Sequence, residues 1–396
     1  MKVVFADRSN PGGIWNVLHP IAEALRDRGD EAICVRWRDR EEAYAEAPEG
    51  VRVVQIDVPA RRAGARGQVD AVRQLAAFSK DFAALLERER PDVVHANFVL
   101  PGAAALRAAK AAGVPRVVLT RHELFTSLSV PLRALDRATR RHADAVTFVS
   151  KATARSYGSA AEPFDPVTGE PPPRETVIYN GIDLTEVDAA RAAAGPRDAD
   201  RIVCVGRLVP VKGQATLLRA FARLLRDRPT ARLELIGEGP ERPALGRLAE
   251  DLDVADRTQF LGWRPRAEVM RTFAEAGCVA LPSDGTQEGF GLTAAEAAAC
   301  GAAVAASDIP VFHEVLGEGE VERANAEWFP PGDAAALAEA LAACLGRSAP
   351  PDLAASVAER FSLDRMTAGH LATYDAGRAG AGRPSVDVPA SCPPSR

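Results

Sequence analysis

Short apolar runs alternate with longer amphipathic stretches over most of the chain. The short runs predict buried strands, and the stretches between them have the spacing of a helix face. The predicted strands are residues 3–6, 32–37, 51–58, 93–95, 117–120 and 145–149, and then 202–205, 233–236, 258–261, 278–281 and 303–305. Because strands that alternate with helices form parallel sheets with crossover helices, the pattern predicts an α/β fold.

A break in this pattern separates two halves. Residues 156–174 are rich in Pro, Gly, Ser and Glu and predict a loop, after which Val177 and Ile178 begin a second alternating series. A chain of 396 residues is long enough for two cores. We therefore predict an N-terminal domain at 1–175, a C-terminal domain at 176–358, a helix at 359–376 and a disordered tail at 377–396.

Composition indicates a soluble globular enzyme, with 47% hydrophobic and 26% charged residues. The N-terminal segment MKVVFAD becomes polar too early for a signal peptide, and we expect a cytoplasmic protein. Six cysteines without a C-x-x-C pair predict buried thiols in a reducing compartment. The histidines lack metal-ligand spacing, so no metal site is predicted.

Charge is spread unevenly along the chain. Residues 1–155 carry 25 Lys and Arg against 19 Asp and Glu, whereas residues 156–396 carry 24 against 35. The basic first half, with Arg133 and Arg137, could mark an anionic membrane surface or an acidic acceptor. Interleaved Asp136 and Asp144 instead favour a solvated helix face. We expect no nucleic-acid partner and do not favour a membrane surface.

The most informative segment is EGFGLTAAE, from Glu288 to Glu296. Its glycines lead into a helix whose first N–H groups and dipole favour an anion such as a diphosphate. Glu296, inside the helix, is placed to accept hydrogen bonds from a ribose diol, and Glu288 would face the group beyond the phosphates. This order of parts describes a nucleotide sugar. Solvated helix-end charges are the alternative for both glutamates.

A second loop joins the strand at 201–205 to a helix at about 214–226. It contains Arg207 and Lys212, two cations that could neutralise charge on a departing diphosphate, as Mg²⁺ does elsewhere. We therefore predict that no metal or other cofactor is required. Either residue alone would be better explained as a surface cation.

Together these motifs resemble the retaining glycosyltransferases of family 4, which have the two-domain GT-B architecture. The motifs that carry the resemblance are Gly12-Gly13, PDVVHA at 91–96, Thr120-Arg121-His122, NGID at 180–183, GRLVPVKG at 206–213, IGEGP at 236–240, FLGW at 260–263, the E-x(7)-E segment, and PGD at 331–333. The resemblance implies two Rossmann-like domains that face each other across a cleft, with a C-terminal helix that crosses back to the N-domain.

The resemblance also assigns roles to residues. It implies that Arg207 and Lys212 grip the donor diphosphate, that Glu288 contacts the donor sugar and that Glu296 holds the ribose. The other implied donor-binding and catalytic residues are Gly12 and Gly13 over the diphosphate, His122 against the sugar, Gly237, Trp263 at the base, and Gly289, Phe290, Gly291, Leu292 and Thr293. Two departures from the family are Val211, where an acid is common, and Glu123-Leu124 after His122.

Acceptor-binding residues are less well defined. Asp7 and Trp15 flank the Gly12-Gly13 loop and are the candidates there. His95 ends a strand and could line the cleft, although a core histidine explains it equally well. We expect no histidine to bind a metal.

The predicted function is metal-independent, retaining hexosyl transfer from a nucleotide sugar to a small hydroxylated acceptor. UDP is the expected nucleotide, and an aminocyclitol in antibiotic biosynthesis is an example of the acceptor. We expect a monomer or homodimer. The alternatives are a membrane-recruited lipid glycosyltransferase and a nucleotide-sugar epimerase of the same shape.

Overall fold

A computed structural model of the protein describes residues 1–8, 15–39, 51–59, 66–317, 326–347 and 351–376. These residues form two parallel sheets, and the predicted α/β fold is confirmed. The strands of the first sheet lie in the order 52–58, 31–39, 2–8, 93–97, 116–121, 145–148 and 175–177, and those of the second lie in the order 258–262, 232–236, 198–205, 276–281, 304–307 and 327–329. The order reverses beside the strand at 2–8 in one sheet and beside the strand at 198–205 in the other, so each sheet has the switch point at which such folds bind ligands.

The first sheet and its helices use the N-terminal part of the chain. Its strands are β1 (Lys2–Arg8), β2 (Glu31–Asp39), β3 (Arg52–Val58), β4 (Val93–Asn97), β5 (Arg116–Arg121), β6 (Ala145–Phe148) and β7 (Glu175–Val177). The helices between them are α1 (Trp15–Asp27), α2 (Arg66–Glu89), α3 (Val99–Ala111), α4 (Val130–Arg140) and α5 (Lys151–Ser156). Val177 therefore ends the first sheet, whereas the sequence pattern had it begin the second.

The second sheet follows the same plan. Its strands are β8 (Asp198–Val205), β9 (Arg232–Ile236), β10 (Thr258–Gly262), β11 (Ala276–Leu281), β12 (Val304–Ser307) and β13 (Glu327–Phe329). The accompanying helices are α6 (Leu184–Ala193), α7 (Gln214–Leu224), α8 (Arg242–Asp251), α9 (Arg266–Glu275), α10 (Leu292–Ala299), α11 (Pro310–Leu316), α12 (Ala334–Cys344), α13 (Pro351–Arg360) and α14 (Leu363–Asp375). Every strand predicted from the apolar runs is present, and β7 and β13 are additional.

Both sheets are buried on two faces, which is why their strands are continuous apolar runs and not alternating ones. In β1, Val4 packs with α2 and α3 side chains while its neighbour Phe5 packs with α1 on the other face. In the second sheet, Val203 and Cys204 divide in the same way between two apolar clusters. Five cysteines are buried thiols as predicted, and Cys392 lies outside the described residues.

Two chain segments cross between the sheets, and they are paired with each other. The N–H of Ile182 donates to the carbonyl of Phe361 at 2.7 Å, and the N–H of Leu363 donates to the carbonyl of Ile182 at 3.1 Å. A Cβ at Gly181 would lie 2.6 Å from the Cα of Leu363, so the backbones touch. The second crossing carries α14 back to the first sheet, where it packs on α1, as expected for the GT-B fold.

His95 lies in this packed region and not in a cleft. It is fully buried, with Nδ1 2.7 Å from the Tyr374 hydroxyl of α14 and Nε2 2.6 Å from the Thr120 hydroxyl of β5. Burial lowers the pKa of His95 well below its usual value, so the ring is neutral and supplies one donor and one acceptor. His95 is therefore a core histidine, which contradicts its suggested role in binding the acceptor.

The His95–Tyr374 contact yields a stability prediction. Tyr374→Phe should lower the free energy of unfolding by about 1–3 kcal/mol, because it leaves a buried ring nitrogen without its partner. Tyr157→Phe is the matched control, since the Tyr157 hydroxyl is buried without a hydrogen-bond partner among the described residues and its loss should cost little. Urea unfolding of both variants provides the measurement. Equal losses would contradict the assigned role of Tyr374.

Candidate donor and catalytic site

The loops after β8, β9 and β11 meet at one edge of the second sheet because parallel strands end on the same side. The N–H of Leu208 donates to the carbonyl of Glu238 at 2.8 Å, and the N–H of Asp284 donates to the carbonyl of Val211 at 2.9 Å. A Cβ at Gly213 would lie 1.9 Å from the carbonyl oxygen of Pro282. Only glycine permits this approach, which sets the Lys212 loop against the loop that carries Glu288.

Lys212 and Glu288 form an ion pair in this edge. Lys212 Nζ lies 2.6 Å from Glu288 Oε2, and the Ser283 hydroxyl donates to the same oxygen at 3.0 Å. The pair is partly buried, with the Lys212 side chain 27% exposed and that of Glu288 12% exposed. The predicted diphosphate cation and the predicted sugar carboxylate therefore form an ion pair with each other.

Helix α10 starts beside this pair. Gly291 precedes its first residue, and the N–H groups of Leu292 and Thr293 have no acceptor among the described residues. A small cavity of about 20 Å³ is lined by Lys212, Glu288 and Thr293, so the ion pair and the helix start face one point. The Phe290 side chain is buried against Phe361 and anchors the loop, which leaves backbone groups to face a ligand.

Arg207, Gly237 and Trp263 surround the same edge. Arg207 is exposed and makes no ion pair or side-chain hydrogen bond with the described residues, so its charge is available. Gly237 packs against the carbonyl oxygen of Gly206, where a Cβ would come within 2.1 Å. Trp263 is 71% exposed just after β10. An exposed indole has a free face on which an aromatic ring can stack.

Glu296 lies one turn into α10 and is held by an arginine. Arg266 Nη1 donates to Glu296 Oε1 at 2.5 Å, and Arg266 Nε donates to Glu186 of α6. Burial raises the pKa of the Glu296 carboxyl, and the neighbouring guanidinium opposes that rise. Glu296 is thus a buried carboxylate with a fixed cation partner, not a solvated helix-end charge.

His122 is at the facing edge of the first sheet, directly after β5. Its Nε2–H donates to Oδ1 of Asn97 at 2.8 Å, and its ring lies 5.3 Å from that of Phe98. Burial lowers the pKa of His122 to about 3, so the imidazole is neutral at physiological pH. Because Nε2 carries the proton in this bond, Nδ1 is the acceptor nitrogen.

The two halves meet where Gly289 touches His122. A Cβ at Gly289 would lie 1.9 Å from the carbonyl oxygen of His122. The carbonyl of Gly289 accepts from the hydroxyls of Ser150 at 2.6 Å and Thr153 at 2.9 Å. The loop between Glu288 and Phe290 is therefore bonded to the first half, and the backbone of His122 lies against the residue that follows Glu288.

A carboxylate strengthens this junction. Glu314 of α11 accepts from the N–H of Lys151 at 2.5 Å and from that of Ala152 at 2.9 Å, at the start of α5. It is 2% exposed, and burial raises the pKa of its carboxyl while the two N–H groups oppose the rise. The first turn of α5 is thus capped by a side chain of the other half of the molecule.

The other two acceptor candidates are at the start of the chain. Asp7 is 2% exposed at the end of β1, and Trp15 begins α1. The side chain of Trp15, like Gly12 and Gly13, lies outside the described residues.

Two arginines of α4 and the carboxyl of Glu123, which follow His122 in the chain, have contacts within the first half of the molecule. Arg133 and Arg137 lie over the Phe125 ring, at 5.6 and 5.0 Å from its centroid. Burial raises the pKa of Glu123, whose charged neighbours are Arg121 and Asp136. Arg133 also donates to the backbone carbonyls of Phe125 and Thr126, whereas Arg137 is exposed.

Among the described residues, no helix is both long and apolar enough to cross a bilayer. The same part of the chain contains no group of three His, Cys, Asp or Glu side chains arranged as metal ligands.

Solved structures with this fold are glycosyltransferases of the GT-B class. Sucrose-phosphate synthase from Thermosynechococcus elongatus superposes with a TM-score of 0.77 and 22% identity, over 96% of this chain and 100% of the other. Anabaena Alr3699/HepE in complex with UDP and glucose superposes with a TM-score of 0.70 and 22% identity, over 95% and 100%. At this identity the likeness defines the fold.

Sequence comparison defines the family. The profile described as Glycosyltransferase Family 4 matches residues 11–186, and that described as Glycosyl transferases group 1 matches residues 188–358. Between them the two matches span most of the chain, which belongs to glycosyltransferase family 4. The family expected from the motifs is confirmed.

Two curated relatives are similar over part of their length. D-inositol 3-phosphate glycosyltransferase of Frankia alni is 33% identical over 58% of this chain and 60% of its own. The GDP-mannose-dependent alpha-(1-6)-phosphatidylinositol monomannoside mannosyltransferase of Mycolicibacterium smegmatis is 35% identical over 50% and 53%. The chain thus spans little more than half of the length of these relatives.

Sequence reasoning missed five residues that the structure brings into the site. They are Asn97, Ser150, Thr153, Ser283 and Arg266, and each bonds a residue or loop that had been predicted. Asn97 had a detectable signal, since it ends a buried strand with a polar side chain. The other four residues had no such signal, because each has a partner far away in the sequence or lies in a segment without a recognisable pattern.

The Gly289 contact can be tested by adding one methyl group. Gly289→Ala should lower the free energy of unfolding by about 1–3 kcal/mol. The added methyl group would meet a backbone oxygen, so the two halves must separate to make room for the methyl. Gly195→Ala is the control, since its Cβ would meet only the Glu275 carboxylate at 3.8 Å. Urea unfolding would contradict the contact if the two variants were equally stable.

Proposed function

We propose that this protein transfers a sugar from a nucleotide-sugar donor to a hydroxylated acceptor, with retention at the anomeric carbon. The observation that carries the proposal is the contact between Gly289 and His122, since it joins the donor residues of one half to the histidine of the other. Membership of glycosyltransferase family 4 supports the same reaction class.

The donor diphosphate is proposed to lie over the start of α10. Leu292 and Thr293 offer unpaired N–H groups there, and Arg207 and Lys212 offer two positive charges. As the diphosphate binds, the Lys212 ammonium would pair with a phosphate oxygen in place of Glu288 Oε2. Glu288 would then be released towards the sugar hydroxyls. The fixed charges would stabilise the leaving diphosphate without a metal.

His122 is proposed to contact the donor sugar as a neutral hydrogen-bond acceptor. Its Nδ1 is the free acceptor nitrogen because Asn97 takes the proton on Nε2. A neutral imidazole adds no positive charge beside an oxocarbenium-like sugar, where a cation would oppose charge development. Glu296 is paired with Arg266, and Glu288 is proposed to bind sugar hydroxyls, so neither carboxylate is assigned as a nucleophile. We therefore favour same-face transfer, in which the leaving diphosphate helps to deprotonate the acceptor.

The acceptor is proposed to be a cyclitol, with an inositol phosphate as the first compound to test. Support comes from the relative named D-inositol 3-phosphate glycosyltransferase. An aminocyclitol antibiotic scaffold belongs to the same chemical class and is the next compound to test. Incubating the protein with UDP- and GDP-sugars and inositol 3-phosphate, followed by mass spectrometry of the product, tests donor and acceptor together.

A lipid acceptor is the second candidate, because another relative is named for transfer to a phosphatidylinositol mannoside. Sedimentation with vesicles that contain phosphatidylinositol distinguishes the two, since only the lipid enzyme should pellet with them.

The diphosphate role of Lys212 gives a kinetic prediction. Lys212→Ala should lower kcat by roughly 10²–10³, the loss expected when one fixed charge stabiliser is removed. Arg219→Ala is the control and should leave kcat unchanged, because Arg219 is an exposed cation on the next helix that bonds only its own helix backbone.

The fixed charges also predict that transfer assayed in EDTA should continue. Loss of all activity in EDTA would rule out metal-independent catalysis.

The two glutamates should separate in binding experiments. Glu296→Gln should weaken the binding of free UDP and of intact UDP-sugar alike, by about 1–3 kcal/mol, because the ribose is common to both. Glu288→Gln should leave the affinity for free UDP unchanged, and it should weaken the binding of the intact donor or lower kcat. Calorimetry with both ligands decides, and an equal loss of UDP affinity in the two variants would refute this division of roles.

A further inference from the structure

Arg266 lies between two carboxylates at the start of α9. It donates from Nη1 to Glu296 and from Nε to Glu186, and it is only 27% exposed. A guanidinium is planar, so two partners on different helices fix its orientation. The position of Glu296 is therefore set by α9 and α6 as well as by its own helix.

The Glu296 carboxylate has one oxygen left for a ligand. Oε1 is taken by Arg266, and Oε2 makes no hydrogen bond with the described residues. An ionised carboxylate accepts through both oxygens, so it can take a hydroxyl hydrogen bond on Oε2 while Oε1 stays paired to the guanidinium. A protonated Glu296 would lose the ion pair and one acceptor together.

Few charged groups surround this carboxyl. Arg266 faces it from α9 and Glu186 from α6, and the Cys300 thiol follows α10 itself, close to Arg191. Burial and Glu186 both raise the pKa of Glu296, and Arg266 is the cation that opposes them. Removing Arg266 would raise that pKa further, so a larger fraction of Glu296 would be protonated at a given pH.

We propose that Arg266 is a positioning residue for nucleotide recognition, which holds Glu296 as an oriented carboxylate with Oε2 available to the ribose. The inference rests on the proposed function, because Glu296 meets a ribose only if a nucleotide binds here. Arg266 acts through Glu296 and touches no ligand itself.

Calorimetric titration with UDP between pH 6 and pH 9 tests this role. Arg266→Ala should weaken UDP binding about 10- to 100-fold at pH 7, the loss expected for a charged hydrogen bond. Part of the affinity should return as the pH rises and Glu296 ionises, beyond any change that the wild type shows. Arg266→Lys keeps the charge without the two-pronged geometry and should lose less affinity, with little extra dependence on pH.

Two further variants make the test specific. Arg271→Ala removes an exposed arginine from the same helix, where it pairs with Glu275, and should leave UDP affinity unchanged. Arg266→Ala combined with Glu296→Gln should bind no more weakly than Glu296→Gln alone, because both changes remove one function.

The outcomes separate the inference from the proposed function. Suppose that Glu296→Gln weakens UDP binding but Arg266→Ala, like Arg271→Ala, does not; the role of Arg266 is then wrong. It is also wrong if the affinity lost in Arg266→Ala is independent of pH and adds to the affinity lost in Glu296→Gln. If Arg266→Ala does not fold, Arg266→Lys replaces it in the titration, and a UDP affinity equal to that of the wild type at every pH would contradict the inference. If the wild type binds neither UDP nor GDP, the proposed function itself fails.

Discussion

The site depends on one carbonyl group, that of Gly289. Two hydroxyls from the first half of the molecule donate to it, and the missing side chain lets the same residue touch the backbone of His122. The contact with His122 is between main-chain atoms, and the two donors are short hydroxyl side chains with a single heavy-atom torsion each. The separation between the histidine and the donor loop is therefore defined by main-chain atoms.

Three buried or half-buried carboxylates surround this contact, and each is neutralised by a different kind of partner. Glu288 has a lysine ammonium, Glu296 has a guanidinium, and Glu314 has the first N–H groups of α5. A buried carboxylate without such a partner would be expected to take up a proton. The described groups around the site therefore balance these three charges among themselves.

The sequence was sufficient for the fold because both sheets are buried on two faces, which makes their strands easy to detect. It also predicted site roles for Glu288, Glu296 and Lys212, which stay predictions, from segments with glycines at the points of close approach. The sequence could not show whether His95 lies in the core or lines a cleft. The contact that decides this is with Tyr374, which is near the other end of the chain. Arg266 was missed for the same reason, because its ion pairs join three separate helices.

The return of α14 to the first sheet has a consequence for synthesis on the ribosome. Met366 and Tyr374 complete an apolar cluster whose other members, such as Phe5 and Leu18, are made at the very beginning. Domains commonly fold in the order in which they are translated. Here the first sheet keeps one face incompletely covered until the last described helix has emerged, so the later half can close its core before the earlier half does.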